Sequence, residues 1–390
     1  MNSLGCMHAD YRHGNTRDLY PAACPPAAPF IIHRSGVSPM AGFSYEGAYT
    51  AIVTPMRHDG HVDWDGLEKN LRFQIDQGIT GIVAVGTTGE SPTLDWREHN
   101  GVIDKSIRLG RGKCVVIAGT GSNATDEALE ASKHAAASGA DAVLLVDCYY
   151  NGPSSLELRQ EYHACIAKAC PQVDVIPYII PGRTGCAMSP EDLVILASEF
   201  PNVRAVKEAT GDLERMKLTR KLAGNAFSIL SGDDDLTFTM MTDPAISASG
   251  VISVMSNVAP AAITAMTKAC LKGDTAKAQA LRDALAPLFG IVTVTVQQER
   301  QMPDGTTRQV KDKFRNPAAI KTLMNRLGMP AGTMRPPMGR MTAKGVQVVR
   351  AAAQTVWRNH PEIIQPVAEA YGVDIGARLA DDSLWAAFSY

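Results

Sequence analysis

Eight short apolar segments recur along the middle of the chain, and each is a continuous run rather than an alternation of apolar and polar residues. Their starts lie 23 to 33 residues apart. Continuous runs indicate strands buried on both faces, which is typical of parallel sheets. The segments are YTAIVTP (49–55), GIVAVG (81–86), CVVIAG (114–119), AVLLVD (142–147), VDVIPYII (173–180), VRAVK (203–207), FSILSG (227–232) and GVISV (250–254).

Helix-like stretches separate these runs, among them DWDGLEKNLRFQIDQG, ATDEALEASKHAAASG and SPEDLVILASEF. In the last of these, Ser189 is expected to cap the helix and Pro190 to occupy its first position. Eight strand–helix units predict the α/β class and a (β/α)8 TIM barrel. A doubly wound sheet is the alternative, because GTGSNA (119–124) matches a dinucleotide-binding motif between a strand and a helix. Eight regular units exceed what one dinucleotide domain needs, which favours the barrel.

The pattern divides the chain into three parts. Residues 1–45 are rich in Pro, Gly, Ala and His and are predicted to be a disordered leader, in which Met40 is a second candidate start site. Residues 46–272 hold the predicted barrel. Residues 273–390 are predicted to form a mostly helical C-terminal region, with a β-hairpin inserted near 292–314 that turns at Asp304-Gly305. A helix over NPAAIKTLMNRLG (316–328) is expected to end at Gly328.

Composition and charge exclude several other classes of protein. The formal net charge is −2, so the chain has no global attraction to nucleic acid or to an anionic membrane. The uncharged stretch 244–267 contains Ser, Asn and Pro, which is typical of a buried strand and helix rather than a membrane span. The eight cysteines form no Cys-x-x-Cys pair, which indicates free thiols and a cytoplasmic protein. Without an HExxH motif, and with three consecutive aspartates (233–235) that diverge, the sequence predicts no metal and no other cofactor.

One lysine stands where a barrel enzyme performs its chemistry. Lys207 ends the run VRAVK, and the carboxyl ends of barrel strands face the active site. Burial under an apolar barrel mouth disfavours the ammonium form, and a neutral amine attacks a ketone to give a Schiff base. The protonated imine then withdraws electrons, so the adjacent carbon loses a proton and the resulting enamine attacks an aldehyde. The position therefore predicts an enzyme that joins a 2-oxo acid to an aldehyde.

Other polar residues follow the neighbouring strands. The phenol of Tyr178, at the end of the fifth run, is suited to be the general acid and base beside the imine. The hydroxyl groups of Thr88 and Tyr150 are predicted to relay its proton to water. Backbone amides around Thr87, at the start of a helix, are expected to bind the carboxylate of the keto acid. Arg183 is expected to bind a second carboxylate on the incoming aldehyde. Gly250 and Ile252 lie on the eighth strand, at the same rim.

Each of these residues also has an ordinary structural interpretation. Lys207 would reach solvent from a strand end, Tyr178 would fill the core, and the two threonines would cap the next helix. Arg183 would pair with Glu208, and the tyrosines at 149 and 150 would pack in an interface. The set is more informative than any member, because all of these residues fall on one rim of the predicted barrel.

A group of motifs over about residues 45–350 resembles the pyruvate-dependent class I aldolases of the N-acetylneuraminate lyase superfamily, and most of all the dihydrodipicolinate synthase family within it. The motifs are AIVTPM, GTTGES, AGTGSNAT, YYNGPS, Y-x-x-P-x-RTG, KEATGDL, LSGDDD and GVISV-x-x-N. Sialic-acid lyases usually read GSTGE in the second motif, and sugar-acid aldolases usually lack the arginine of RTG. Two departures from the family are Ile179, where asparagine is usual, and Gly152, where a larger residue is common.

The resemblance implies a lyase that condenses pyruvate with L-aspartate 4-semialdehyde in the diaminopimelate route to lysine. It implies that Lys207 forms the Schiff base, Tyr178 is the acid and base, Thr88 and Tyr150 form the relay, and Thr87 binds the pyruvate carboxylate. Arg183 would bind the semialdehyde carboxylate, and the carbonyl of Ile252 would lie near the lysine. In this family the relay tyrosine is held at a tight-dimer interface, where the neighbouring tyrosine crosses to the partner, and dimers pair into homotetramers.

The resemblance also implies a regulatory site, because many members are inhibited by lysine bound at the dimer interface. The matching positions in this chain are Ser91, Leu94, Trp96, His99, Asn123, Glu127 and Tyr149. Ordinary polar interface residues are the alternative interpretation of this set. Two further functions stay open at this point: a 2-oxo-acid aldolase that acts on a sugar acid or another aldehyde, and a catalytically silent barrel that serves as a binding protein.

Overall fold

The computed structural model describes residues 44–390, and its centre is a closed barrel of eight parallel strands in chain order. This arrangement confirms the predicted barrel and excludes the doubly wound sheet, because the first strand pairs with the eighth as well as with the second. The strands are β1 Gly47–Ala51, β2 Gly81–Ala84, β3 Val115–Gly119, β4 Ala142–Val146, β5 Asp174–Ile179, β6 Ala205–Glu208, β7 Ser228–Ser231 and β8 Gly250–Ser253.

The barrel strands form continuous apolar runs because both of their faces are covered. The inward residues pack into one cluster inside the barrel, with Tyr49, Ile117, Leu144, Tyr178 and Ile252 among its members. The outward residues pack against the surrounding helices in a second, larger cluster. Every residue of β1, β2, β6, β7 and β8 is buried. The interior is therefore filled with side chains, as is usual for this fold.

Helices follow the strands and enclose the barrel. Ser189 caps one of them by accepting a hydrogen bond from the backbone of Asp192, and Pro190 is its first residue, as the sequence predicts. These helices are α1 Trp64–Asp76, α2 Trp96–Gly110, α3 Thr125–Ser138, α4 Ser155–Glu157, α5 Ala164–Ala169, α6 Pro181–Thr184, α7 Pro190–Glu199, α8 Leu213–Ala223, α9 Thr237–Thr242 and α10 Pro260–Leu271.

The C-terminal region is mostly helical, with one antiparallel hairpin. Its elements are α11 Thr275–Phe289, β9 Val294–Gln301, β10 Thr307–Phe314, α12 Ala318–Leu327, α13 Ala343–Asn359, α14 Gln365–Tyr371, α15 Ile375–Ala380 and α16 Asp382–Ala386. Helix α12 ends at Gly328, which takes the left-handed conformation with φ +92°, as predicted. Trp385 near the C-terminus is fully buried, and its indole nitrogen donates to the carbonyl of Arg378.

Most of the predicted leader, with Met40, lies outside the described residues. Only 44 and 45 are described, and Tyr45 is buried at the end of the barrel, where its hydroxyl donates to Asp174 at 2.7 Å. Among residues 44–390, no helix combines the length and the apolar character needed to cross a membrane. In the same part of the chain, no three His, Cys, Asp or Glu side chains come together in a way that could hold a metal ion.

Candidate active site

Lys207 and Tyr178 are directly opposite each other on the neighbouring strands β6 and β5. The ammonium nitrogen Nζ of Lys207 lies 4.0 Å from the centre of the Tyr178 ring. The two side chains are only 6% and 5% exposed. The lysine therefore does not extend into solvent from its strand end, and a phenol lies within reach of any group bonded to its nitrogen.

A cavity of about 240 Å³ opens at the carboxyl end of the barrel, with Tyr178 in its wall. Lys207 packs against the ring of Tyr178 and is not itself a lining residue. Leu144 and Val146 form part of its apolar wall, and Thr87, Tyr178 and Arg183 supply polar groups. The full set of lining residues is Val85, Gly86, Thr87, Ser91, Pro92, Gly119, Gly121, Leu144, Val146, Tyr149, Tyr178, Arg183 and Thr184. An apolar pocket with a few convergent polar groups is the usual form of a small-molecule site.

The threonines after β2 differ in their surroundings. They form one turn of 3-10 helix (Thr87–Gly89, the threonine turn), whereas α2 begins only at Trp96. The predicted helix N-terminus at these residues is therefore a single short turn. Thr87 faces the cavity, while Thr88 is 2% exposed and its hydroxyl accepts a hydrogen bond from the side-chain amide of Asn316 at 2.9 Å.

Two adjacent tyrosines after β4 take different positions. Tyr149 lines the cavity, but Tyr150 is 91% exposed and is not among the lining residues. Tyr150 also has φ +79°, a left-handed conformation that is uncommon for a bulky residue. The isolated chain thus brings Thr87, Tyr149, Tyr178 and Arg183 together and leaves Tyr150 apart from them.

Arg183 stands at the open rim of the cavity, in the short helix α6. Its guanidinium donates to the backbone carbonyl of Asn316 at 3.0 Å. The alternative pairing of Arg183 with Glu208 is wrong, because Glu208 is fully buried and pairs with Arg215 at 3.2 Å.

The three aspartates after β7 differ in burial: Asp234 is buried, Asp233 is partly buried and Asp235 is exposed. Asp234 points inward and accepts hydrogen bonds from the backbone of Val254 and Met255. Burial raises the pKa of Asp233 to about 6; the charge of Asp235 adds to this rise and the nearby charge of Lys207 opposes it. Asp233 is therefore electrostatically linked to Lys207, a feature that the sequence reasoning did not assign.

The two predicted residues on β8 have clear packing roles. A Cβ atom on Gly250 would lie 2.0 Å from the carbonyl oxygen of Gly47, so glycine is needed where β1 and β8 approach each other. Ile252 is fully buried inside the barrel and pairs with Tyr49. Neither Gly250 nor Ile252 lines the cavity that Tyr178 borders.

A second cavity of about 160 Å³ adjoins the first one. Six of the seven positions predicted for a regulatory site line it: Ser91, Leu94, Trp96, His99, Glu127 and Tyr149. The seventh, Asn123, is not a lining residue, and its side-chain oxygen is buried without a hydrogen-bond partner among the described residues. Both ring nitrogens of His99 are likewise unpartnered there, and burial lowers the pKa of His99 to about 4. The cavity is thus lined by one neutral imidazole and one carboxylate, and Tyr149 borders both cavities.

Residues of the C-terminal region, which the sequence pattern does not assign to the site, contact its edge. Asn316 contacts Thr88 and Arg183, and Lys321 contacts Glu90 just after the threonine turn. Their partners lie 133 to 231 positions earlier in the chain. Only the start of a helix was visible at Asn316, and no local spacing indicates contacts over such distances.

The family of this chain is decided by its match to a known sequence family. Residues 44–356 match the family described as "Dihydrodipicolinate synthetase family". The chain belongs to the dihydrodipicolinate synthetase family. The match covers the barrel and the C-terminal region into α13, and it leaves out the last three helices, α14 to α16.

Curated relatives and solved structures agree with this assignment. A 4-hydroxy-tetrahydrodipicolinate synthase of Methanocaldococcus jannaschii is 37% identical over 305 residues, which cover 78% of this chain and 96% of the relative. The corresponding synthase of Alcanivorax borkumensis is 46% identical over 242 residues, or 62% of this chain and 80% of the relative.

Among solved structures, the dihydrodipicolinate synthase from Aquifex aeolicus has a TM-score of 0.72 at 34% identity, and the match covers 82% of this chain and all of that one. A synthase from Cyanidioschyzon merolae, solved with lysine bound, has a TM-score of 0.71 at 33% identity, covering 80% of this chain and 98% of that one. A chloride-inhibited synthase from Acinetobacter baumannii, solved with pyruvate, has a TM-score of 0.71 at 36% identity, with the same coverage of 80% and 98%.

Proposed function

We propose that this protein is a 4-hydroxy-tetrahydrodipicolinate synthase, a lyase that condenses pyruvate with L-aspartate 4-semialdehyde in lysine (diaminopimelate) biosynthesis. The observation that carries the proposal is the buried Lys207 amine 4.0 Å from the centre of the Tyr178 ring, beside a cavity for a small molecule. Family membership supports the same activity. Because the reaction uses free metabolites, we propose that it takes place in the cytoplasm.

Lys207 is the proposed nucleophile. Its neutral Nζ attacks the keto carbon of pyruvate, and the carbinolamine loses water to give a protonated imine. A proton leaves the methyl carbon, and the enamine carbon bonds to the aldehyde carbon of the semialdehyde, whose oxygen takes up a proton. The amino group of the semialdehyde then displaces Lys207 from the imine carbon and closes the ring. Tyr178, which lies opposite Lys207 on the neighbouring strand β5, is the proposed donor and acceptor of these protons.

The relay that exchanges protons with water is proposed to include the threonine turn and Tyr150. Thr88 is the proposed relay hydroxyl, and Thr87, which faces the cavity, is the proposed contact for the pyruvate carboxylate. Because Tyr150 is 91% exposed in the single chain, its role requires a second copy of the chain that covers it. We therefore propose a tight dimer, with two dimers forming a homotetramer. Sedimentation at micromolar concentration tests this assembly, and an active monomer with an unimpaired Tyr150→Phe variant would contradict it.

Arg183 is the proposed contact for the carboxylate of the semialdehyde. Its guanidinium already donates to one backbone carbonyl and lies at the rim where the second substrate would arrive. Arg315 provides a matched control, since it is an exposed arginine on the same rim that donates to the carbonyl of Gly182 and does not line the cavity. Arg183→Ala should lose semialdehyde turnover but still form the pyruvate adduct, and Arg315→Ala should retain both. Loss of adduct formation in Arg183→Ala would contradict this role.

The second cavity is the proposed site for feedback by lysine. The carboxylate of Glu127 is suited to bind an ammonium group, and Trp96 provides an apolar wall for the aliphatic chain. Tyr149 borders both cavities, so a ligand in the second one would contact a residue of the first.

The two alternative functions make different predictions for one assay. A silent barrel would form no adduct with pyruvate on Lys207. A sugar-acid aldolase would form the adduct but would prefer another aldehyde, and its turnover would not depend on Arg183. Comparing aspartate semialdehyde with sugar-derived aldehydes, in the wild type and in Arg183→Ala, therefore separates all three functions.

A further inference from the structure

The threonine turn is held from outside the barrel. Glu90, the residue that directly follows this turn, is a non-glycine residue with φ +60°, which is a left-handed conformation. Glu90 is 2% exposed, so its carboxylate is withdrawn from water. Such a residue keeps its conformation only where its surroundings hold it in place.

Both oxygens of the Glu90 carboxylate are bound by the C-terminal region. Oε1 accepts from Nζ of Lys321 at 2.5 Å, and Oε2 accepts from the backbone nitrogen of Arg335 at 2.9 Å. Lys321 is fully buried, and its ammonium group also donates to the carbonyls of Thr54 and Thr333, both at 3.2 Å. All three donors of this ammonium are used, so the lysine is built into the structure rather than available for chemistry.

A second contact reaches the turn from the beginning of the same C-terminal segment. The side-chain amide of Asn316, which is 6% exposed, lies 2.9 Å from the hydroxyl of Thr88, and its backbone carbonyl accepts from Arg183 at 3.0 Å. One residue thus contacts both the threonine turn and the arginine that lines the cavity. The two substrate-binding elements are fixed relative to each other through Asn316.

We propose that Asn316 and Lys321 are positioning residues, which hold the threonine turn and thereby set the affinity of the cavity for the keto acid. They act through Thr88 and Glu90 and do not themselves take part in bond formation at Lys207. The inference rests on the proposed function, because it assumes that the cavity binds pyruvate. An error of about 1 Å in the placement of a binding group is enough to reduce a rate by about a hundredfold.

Asn316→Ala is the test variant, because it removes the contact to Thr88 and leaves no buried charge behind. Thr322→Val is its control, because Thr322 lies nearby on α12 and is fully buried, and its hydroxyl donates to the carbonyl of Ala318 within the helix. The double variant Glu90→Gln with Lys321→Met replaces the ion pair by neutral groups of similar size. It avoids the unpaired buried charge that the single Lys321→Met variant would create.

The measurement is the pyruvate concentration that gives half-maximal borohydride-trapped adduct on Lys207, together with the melting temperature. We expect Asn316→Ala and the double variant to raise this concentration about tenfold or more, which corresponds to about 1.4 kcal/mol of binding free energy, and to reach full adduct formation at saturating pyruvate. Thr322→Val should stay within about twofold of the wild type. If Asn316→Ala also stays within twofold, the inference is wrong and the proposed function stands. If the wild type forms no adduct, both are wrong.

Discussion

An alanine at Gly232 would disturb Lys207 without changing any residue of the cavity. Gly232 directly follows β7, and the side chain of Lys207 lies against its backbone. A Cβ atom at this position would lie 2.6 Å from Cβ of Ala209, 3.1 Å from the carbonyl oxygen of Glu208 and 3.2 Å from Cε of Lys207. Ala209 has no rotamer that moves its Cβ away, so the chain around Lys207 must move.

The size of the effect follows from these distances. Non-bonded carbons rest about 3.5–4.0 Å apart, so the overlap with Ala209 requires a shift of about 1 Å. A displacement of this size at a reacting group costs about a hundredfold in rate, or about 2.7 kcal/mol of activation free energy. Overpacking of a filled site lowers the free energy of unfolding by about 1–3 kcal/mol. We therefore expect Gly232→Ala to remain folded and to form the pyruvate adduct about a hundredfold more slowly.

Single-turnover trapping with borohydride and pyruvate measures the rate of adduct formation directly. Gly182→Ala is the matched control, because a Cβ at Gly182 would meet no atom within 4 Å, although the residue lies in α6 beside Arg183. The control should react within about twofold of the wild type. If Gly232→Ala is destabilised but forms the adduct at the wild-type rate, then the position of Lys207 does not limit the reaction and the reasoning fails.

Three further predictions concern the phenol, the aspartate beside the lysine and the second cavity. Tyr178→Phe keeps the ring but loses the acid and base, so kcat should fall by about 10²–10⁴, and steady-state kinetics with less than a threefold loss would contradict this role. The pKa of Asp233 is raised from 3.8 to about 6 in the folded state, so between pH 3.8 and about 6 the folded protein binds a proton there more tightly than the unfolded chain does. The free energy of unfolding should therefore fall as the pH rises through this range. In urea unfolding, Asp233→Asn should therefore raise the free energy of unfolding by about 1–3 kcal/mol at pH 7 and leave it unchanged near pH 3.5. A lower free energy of unfolding at pH 7 would refute the raised pKa of Asp233. Glu127→Gln should abolish inhibition by lysine while kcat stays within about twofold, and unchanged inhibition would count against the second cavity.

The barrel and its central pair could be predicted because their signals are local. Each strand is a continuous apolar run, and in a parallel barrel the residue at the carboxyl end of a strand faces the cavity. Lys207 ends its run and Tyr178 lies near the end of the run before it, so their proximity follows from the fold, and the structure places them in register on β6 and β5.

Other features depend on contacts that no local pattern carries. The start of a helix at the threonine turn was predicted, but the left-handed Glu90 ends that turn, and α2 begins later at the capping box of Asp95 and Glu98. The contacts of Asn316 and Lys321 join segments that are 228 and 231 residues apart in the chain. The exposure of Tyr150 reflects a surface whose proposed partner is a second copy, which the sequence of one chain does not position.

Peptide mapping after reduction with borohydride in the presence of pyruvate tests the central claim most directly. The account predicts one modified peptide, with the pyruvate-derived group on Lys207, and predicts that a Lys207→Arg variant is not modified. The buried Lys321, whose ammonium is fully hydrogen-bonded, should remain unmodified in the same digest. Absence of an adduct, or an adduct on another lysine while Lys207 stays free, would contradict the account.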